Sequence, residues 1–228
     1  MRKLLAIIGT ILLSMGVNAQ TQTTLKVESF RMGIGEQKTI TLDLDNSDLA
    51  DAAAFCCDIY LPEGVEIETD SEGNYNFSIS TKDGRSTSPE SLIIASAIQS
   101  DEAVRVICFP TDASAFAGAS GAILNIPLVA SKDLTKGTGE ITISSQEITN
   151  TTGLSTVKPE NSVADLIAFL RGDVNDDDKI NIGDIISVSN FMAGEGGGII
   201  QDDADTNEDT KVNIGDIITI SNIMAGNN

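Results

Sequence analysis

Hydrophobic and polar residues alternate over short stretches in the chain up to residue 150. Ile40, Leu42 and Leu44, for example, alternate with threonines and aspartates. A period of two predicts strands with one buried face, and the Gly and Pro residues between them predict turns. The candidate strands are 25–32, 38–45, 54–62, 65–69, 75–80, 91–97, 104–110, 122–129 and 140–148. Eight or nine strands in 24–150 predict an all-β antiparallel sandwich of two sheets.

A less regular segment, 151–170, follows as a connector. Its first part, 151–162, contains Gly, Ser, Thr and Pro and has no clear period. The apolar residues of 162–170 fit either a helix face or an alternating strand. We favour a last strand of the sandwich that leads directly into the C-terminal part.

The C-terminal part, 171–228, has the period of helices. Apolar residues recur there at i, i+3 and i+7, which predicts two short helices with one apolar face each. Gly194 and Gly226 stand where a left-handed C-terminal cap is expected. The apolar residues are Ile185, Val188 and Met192 in the first helix and Ile217, Ile220 and Met224 in the second.

Each predicted helix follows one of two nearly identical twelve-residue stretches, DVNDDDKINIGD at 173–184 and DTNEDTKVNIGD at 205–216. Oxygen side chains at positions 1, 3, 5, 9 and 12 and a carbonyl at position 7 have the spacing of EF-hand calcium loops. The predicted ligands of two Ca²⁺ ions are Asp173, Asn175, Asp177, Lys179, Asn181 and Asp184, and then Asp205, Asn207, Asp209, Lys211, Asn213 and Asp216. So small a module buries little core, and we expect metal binding to supply much of its folding free energy.

Position 6 of such a loop normally holds glycine, because the chain turns there with φ > 0. Asp178 and Thr210 occupy it here. Aspartate tolerates this conformation, whereas threonine adopts it at a cost of roughly 1–2 kcal/mol. We therefore expect the second loop to bind calcium more weakly. Apolar Ile180 and Val212 at position 8 suit a short strand contact between the loops.

A calcium loop with only its exit helix, present twice with aspartate at position 12, resembles the type I dockerin. GDVNDD at 172–177 and two NIGDII segments carry the resemblance, which covers 172–226. Dockerins are non-catalytic modules that bind a cohesin β-sandwich in bacterial polysaccharide-degrading systems, so the resemblance implies a protein partner of cohesin type. Positions 10 and 11 begin the partner surface in that family. They are Ile182, Gly183, Ile214 and Gly215 here, unlike the hydroxyl or Ala-Leu pairs of cellulosomal dockerins.

The N-terminal part resembles cohesin-like and carbohydrate-binding-module-like sandwiches. The segments that carry this resemblance are 35–45, 55–64 and 121–129. It implies a two-sheet sandwich without assigning a ligand. Because both kinds of module share one chain, the sandwich of one molecule could also bind the dockerin-like part of the next. Calcium-dependent self-association is therefore an alternative to a separate partner.

The amino-acid composition argues against several classes of partner and of catalysis. The net charge of −20 argues against nucleic acid and anionic membranes as partners. The absence of histidine excludes Ser-His-Asp and Cys-His catalysis, and nothing marks a carboxylate pair for glycoside hydrolysis. Polysaccharide binding stays an alternative, although Trp is absent, Tyr60 and Tyr75 are the only tyrosines, and Phe55 and Phe109 are expected in the core. We expect a protein that is not an enzyme.

Residues 1–19 are typical of a signal peptide. Arg2 and Lys3 precede the apolar run 4–13, and VNA at 17–19 fits a cleavage site. The run is short for a membrane span, so we expect an exported, soluble mature chain that is secreted, periplasmic or associated with the cell surface. A retained helical anchor is the alternative.

Three cysteines leave a question about redox state. Cys56 and Cys57 are neighbours on a predicted strand and therefore point to opposite faces. Cys57 and Cys108 both lie in step with core residues. In an exported chain, a Cys57–Cys108 disulfide and two buried free thiols are both open.

Overall fold

The computed structural model describes residues 23–195 and 199–226, and the predicted signal peptide lies outside them. A β-sandwich comes first and three helices follow. In chain order the strands are β1 (Thr24–Lys26), β2 (Phe30–Gly33), β3 (Gln37–Asp45), β4 (Ala52–Tyr60), β5 (Val65–Ile67), β6 (Ser78–Ile79), β7 (Leu92–Ile98), β8 (Val104–Pro110), β9 (Ser120–Ala130), β10 (Gly137–Asn150), β11 (Thr156–Val157) and β12 (Ser162–Phe169). The helices are α1 (Ile182–Met192), α2 (Gln201–Ala204) and α3 (Ile214–Met224).

Two sheets form the sandwich. One has the order β1-β3-β9-β5 with β6 also on β9, and the other has the order β2-β12-β10-β4-β8-β7 with β11 beside β10. The segment 162–170, which fitted a helix or a strand, contains β12. All pairings between the described strands are antiparallel except that of β2 with β12, so the expectation of a purely antiparallel sandwich is wrong at this edge.

The parallel pairing at this edge arises because the predicted strand 25–32 is divided between the two sheets. It divides into β1, which pairs with β3 in one sheet, and β2, which pairs with β12 in the other. The division at 27–29 moves the chain from one sheet to the other. With β11 and β12 it brings the described strands to twelve rather than eight or nine.

Alternating residues of the long strands fill the core between the sheets. On β3, Ile40, Leu42 and Leu44 are buried, as the pattern predicts. Phe55 is also buried, and its ring lies against Phe116 at 6.2 Å between centroids. Phe109 is 40% exposed, so its expected place in the core is wrong. Its neighbour Cys108 faces the core, and successive residues of a strand face opposite sides.

The cysteines follow the same alternation. Cys57 and Cys108 are buried, and Cys56 lies on the opposite face of β4. Cys57 is opposite Val106, and Cys108 is opposite Phe55, so the two buried thiols are offset by two positions. All three cysteines are free. Of the two alternatives, the structure shows buried thiols.

A second, small core joins the helices. It contains Val174, Val188, Ala204 and Ile220, with Ile180, Ile185, Ile199, Val212 and Ile217 packed around it. Met192 and Met224 are 46% and 44% exposed, so the predicted apolar faces do not extend to them. They lie in the last turn of each helix, beyond this core. Ile180 and Val212 contribute side chains to the core, and within the described residues no strand pairing joins the loops.

The ends of the two long helices agree with the caps expected from the sequence. Gly194 and Gly226 have φ of +78° and +73°, the left-handed conformation in which glycine carries no steric penalty. In the part of the chain that the structure describes, no helix is both long enough and apolar enough to cross a membrane.

Candidate functional site

The two predicted calcium loops have the same internal hydrogen bonds, beginning with the aspartate at position 1. Asp173 accepts the Asp177 N–H on Oδ1 at 2.9 Å and the Asp178 N–H on Oδ2 at 3.0 Å. Asp205 accepts the corresponding N–H groups of Asp209 and Thr210 at 3.0 and 2.8 Å. Each aspartate therefore folds the first half of its loop around its own carboxylate.

Side chains at positions 3, 5 and 9 converge inside each loop. In the first loop, Asn175 and Asn181 Nδ2 lie 3.3 and 3.4 Å from Asp177 Oδ2. In the second, the distances from Asn207 and Asn213 to Asp209 are 3.5 and 3.2 Å. One carboxylate and two amides thus share a small volume at three of the predicted ligand positions.

The aspartate at position 12 is fully buried and ties the loop to its helix. Asp184 accepts the Val174 N–H and the Asn181 N–H at 2.8 Å each, and the Asn175 N–H at 3.3 Å. Asn181 in turn accepts the Gly183 N–H at 2.7 Å, which completes a reciprocal capping box at the start of α1. Asp216 and Asn213 form the same box at α3.

Two residues of each loop have left-handed backbone conformation. At position 6, where glycine is usual, Asp178 has φ of +62° and Thr210 has φ of +69°. Position 4 turns in the same way, with φ of +60° at Asp176 and +59° at Glu208. This second turn could not be predicted from the sequence, because neither aspartate nor glutamate marks it as glycine would.

The arrangement contains carboxylate and amide groups of the kind that bind a hard cation. Within the described residues, no three aspartate, glutamate or cysteine side chains gather as one metal-ligand cluster. The side chains that converge at positions 3, 5 and 9 are a carboxylate and two amides, and the oxygens of such groups are ligands that suit Ca²⁺. Asp184 and Asp216 face backbone N–H groups, but an ionised carboxylate has about four acceptor sites, so a metal could share it. The chemistry of the donor set therefore fits calcium.

A lysine of the sandwich reaches the first loop. Lys136, between β9 and β10, places Nζ 2.8 Å from Asp173 Oδ2 and 3.1 Å from Asp178 Oδ1, and it also pairs with Asp176. These carboxylates, Asp173 first, raise the pKa of Lys136 above its ordinary value. The sequence repeat could not reveal this contact, because Lys136 lies 37 residues before Asp173.

Arginines connect the sandwich to the rest of the C-terminal part. Arg171 lies 2.8 Å from both Glu36 and Glu208, the latter at position 4 of the second loop. Arg31 of β2 pairs with Asp203 of α2, and its guanidinium lies 4.5 Å from the centre of the Phe169 ring. Burial raises the pKa of Asp203, and Arg31 opposes that shift.

The four predicted partner residues differ in exposure. Ile182 and Ile214 are 59% and 60% exposed. Gly183 and Gly215 face inward instead: a Cβ atom would lie 3.0 Å from Asn181 Oδ1 and 2.8 Å from Asn207 Nδ2, respectively. Glycine at position 11 therefore leaves room for the asparagines at the predicted ligand positions. The exposed apolar residues on the two helices, which we call the helix surface, are Ile182, Ile186, Met192, Ile214, Ile218 and Met224.

The sandwich has an exposed apolar patch of its own. Ile93 on β7 lies opposite Phe109 on β8, and Ile107 follows two residues away on the same face. The three side chains, here called the outer patch, are 38–44% exposed. Beside them, Arg105 binds Asp58 through two hydrogen bonds of 2.7 Å and lowers the pKa of that carboxyl. An apolar surface bordered by an ion pair is typical of protein interfaces.

The aromatic residues considered for sugar stacking lie apart. The Tyr60 hydroxyl donates a hydrogen bond to Asp101, whereas Tyr75 lies beside Phe77 with 50° between the ring planes. Polysaccharide binding stays a prediction.

No protein-family model and no curated protein matches the chain. Among solved structures, a chain of a type I cohesin–dockerin complex from Clostridium thermocellum is 14% identical, with a TM-score of 0.52; the match covers 65% of this chain and 99% of that one. The sixth cohesin of scaffoldin B from Acetivibrio cellulolyticus, solved with a dockerin, is 15% identical with a TM-score of 0.50, over 64% and 99% of the two chains. The sandwich therefore has a cohesin-like fold, as its sequence pattern suggested.

Proposed function

We propose that the chain is an exported, non-catalytic docking protein with a calcium-binding module of dockerin type at its C-terminus. In this proposal the two loops bind one Ca²⁺ ion each, and the helix surface binds a cohesin-type protein. The setting would be a bacterial polysaccharide-utilisation or cell-surface assembly. The two cohesin neighbours were solved in complexes with dockerins, and the fold they share with the sandwich supports a docking role for it as well.

The observation that carries the proposal is the duplication of geometry as well as sequence. Both loops have the same hydrogen bonds to Asp173 and Asp205, and both helices begin with the same capping box. Equivalent helix positions, such as Ile186 and Ile218, are 53% and 58% exposed. Local stability does not account for apolar residues left exposed at matching positions of both repeats, whereas a protein partner would cover them.

Calcium titration of the full chain tests the first part of the proposal. We expect two bound ions by isothermal titration calorimetry, and one ion after Asp173→Ala or Asp205→Ala. A wild-type chain that binds no calcium would overturn the metal assignment.

Partner capture tests the second part. Envelope and secreted proteins of the source organism are passed over the immobilised chain with calcium and then with EDTA, and a captured protein is purified and titrated directly. We expect binding that EDTA abolishes. The matched variant Ile186→Lys with Ile218→Lys should bind two calcium ions and lose the partner. Undiminished binding by this variant would exclude the helix surface.

Self-association is the second candidate, and the outer patch favours it. Ile93, Ile107 and Phe109 expose an apolar surface on a cohesin-like sandwich in the chain that carries the helix surface. One molecule could therefore bind the next. Light scattering at high protein concentration should then show oligomers with calcium and fewer with EDTA or Phe109→Lys. A monomer under all conditions would exclude this candidate.

A further inference from the structure

Lys136 carries a positive charge into the loop that is proposed to bind a positive ion. Its ammonium group lies 2.8 Å from Oδ2 of Asp173, the position-1 ligand, which is 1% exposed. Its other two contacts are with Asp176 and Asp178 at positions 4 and 6. Neither belongs to the predicted ligand set, so both anchor the lysine without being required by the metal.

The second loop has no equivalent lysine among the described residues. Position 6 is Thr210, which has no charge, and position 4 is Glu208, whose partner is Arg171. The Asp205 carboxylate receives only the N–H groups of Asp209 and Thr210 from the described part of the chain. The two loops therefore have the same hydrogen bonds from the backbone to the position-1 aspartate. They differ in whether the sandwich also contacts that aspartate.

Two cations near one carboxylate disfavour each other. A calcium ion held by Asp173 would be close to the Lys136 ammonium group, and like charges repel at short range near a protein surface. By thermodynamic linkage, if Lys136 lowers the calcium affinity by a given factor, then bound calcium weakens the contact of Lys136 with the loop by the same factor.

We propose that Lys136 lowers the calcium affinity of the first loop and that calcium binding there weakens the contact of that loop with Lys136 of the sandwich. The inference rests on the proposed function, because it needs a first loop that binds calcium. It gives Asp178 a role at a position where glycine is usual: the aspartate holds Lys136. The contact between Lys136 and the first loop then depends on calcium concentration.

Calcium titration of the full-length Lys136→Met variant tests the proposal. Asp177→Asn and Asp209→Asn, each in the wild-type and the Lys136→Met chain, identify which binding step belongs to which loop. We expect Lys136→Met to tighten the first-loop site at least fivefold, the lower end of typical coupling between sites. The second-loop site should change less than twofold. Lys132→Met, an exposed lysine in the same connection, is the matched control and should change neither site.

Stability measurements give a readout that is independent of the titration. In EDTA, Lys136→Met should unfold at lower urea concentration than the wild type, because the metal-free chain loses its ion pairs. Saturating calcium should shrink or reverse that difference. First-loop affinity that is unchanged or weaker in Lys136→Met overturns the proposal and leaves the calcium assignment in place. A wild-type chain that binds no calcium overturns both.

Discussion

The two loops of the C-terminal part have one local design in two different surroundings. From Lys179 to Gly194 and from Lys211 to Gly226, 12 of 16 residues are identical, and the hydrogen bonds from backbone N–H groups to side chains within the loops correspond one for one. The first loop contacts the sandwich through Lys136 at its position-1 aspartate, whereas the second contacts Arg171, a residue of the C-terminal part itself, at an exposed glutamate. The repeat therefore determines how each loop folds, and the contact with the sandwich makes them unequal.

Position 2 shows the same contrast on a smaller scale. Val174 in the first loop is an apolar residue of the small core, whereas the equivalent Thr206 is buried with its hydroxyl 3.2 Å from the Asp216 carbonyl. A hydroxyl in that place must keep its hydrogen bond, because a buried polar group without a partner costs roughly 1–3 kcal/mol. The similarity of the loops thus ends where each one meets its neighbours.

Removal of the position-12 carboxylates should have the largest effect and should affect both repeats alike. Asp184→Ala and Asp216→Ala each leave three backbone N–H groups without their acceptor at a buried site. We expect each variant to lose about 3 kcal/mol or more of unfolding free energy in EDTA, measured by urea titration of the helical circular dichroism. Asn190→Ala, on the exposed side of α1, is the control and should cost less than about 0.5 kcal/mol. If the two aspartate variants differed by more than about 1 kcal/mol in lost unfolding free energy, then residues outside the loops would also determine how much the position-12 aspartate stabilises each loop.

The small core should give the next largest effect. Val188 and Ile220 occupy equivalent positions on α1 and α3, and both are 0% exposed. We expect Val188→Ala to cost about 1–3 kcal/mol and Ile220→Ala about 2–5 kcal/mol in the same urea titration. Met192→Ala and Met224→Ala are the matched controls, because these methionines lie outside the core. If the methionine variants were equally destabilising, the assignment of the core would be wrong.

Much of this arrangement could be predicted from the sequence, because local physics determines it. Alternation on β3 and β4 predicted which residues are buried, and the glycines after α1 and α3 predicted left-handed caps. The capping boxes could also have been predicted, since Asn181 and Asp184 stand three residues apart at the start of an apolar run. Each of these inferences needs only neighbouring residues.

The inferences that failed needed information from distant parts of the chain. The parallel pairing of β2 with β12 depends on which sheet each end of 25–32 joins, and alternation is the same in either sheet. Phe109 follows Cys108, so the strand's register and not its hydrophobicity decides its exposure. Lys136 carries no signal in the sequence, because an isolated lysine near Gly137 is ordinary in a turn. Its importance arises only from the fold.

Thr210 offers a smaller test, directed at the second loop alone. Threonine at φ of +69° is strained by roughly 1–2 kcal/mol, and glycine removes the strain at a cost of about 0.5–1 kcal/mol in unfolded-chain entropy. Thr210→Gly should therefore raise the unfolding free energy by about 0.5–1 kcal/mol and tighten the second calcium site. Asp178→Gly is the counterpart and should lose stability in EDTA, because the glycine cannot hold Lys136. If Thr210→Gly did not raise the unfolding free energy, the strain assigned to Thr210 would be wrong.

The same strain bears on which of the two proposed calcium sites is tighter. The sequence predicts a weaker second loop, whereas Lys136 would weaken the first, so the order in the wild-type chain depends on two opposing effects. In the Lys136→Met background only the strain remains. Calorimetry of Asp216→Ala in that background should show loss of the weaker site. Loss of the tighter site would contradict the role assigned to Thr210.

Glu208→Gln should have the smallest effect of all, and that is why it is informative. The pair of Glu208 with Arg171 matches the position-4 contact of Asp176 with Lys136, but the glutamate side chain is 71% exposed. Exposed ion pairs contribute about 0–1 kcal/mol, so we expect less than 0.5 kcal/mol of lost stability in urea titration and a second-loop calcium affinity within twofold of wild type. Asp176→Asn removes the corresponding contact at the first loop and, by loosening Lys136, should tighten calcium there. If Glu208→Gln tightened its own site as strongly, then any cationic side chain paired with position 4 of a loop would weaken calcium binding, and the position-1 contact of Lys136 would not be what distinguishes the two loops.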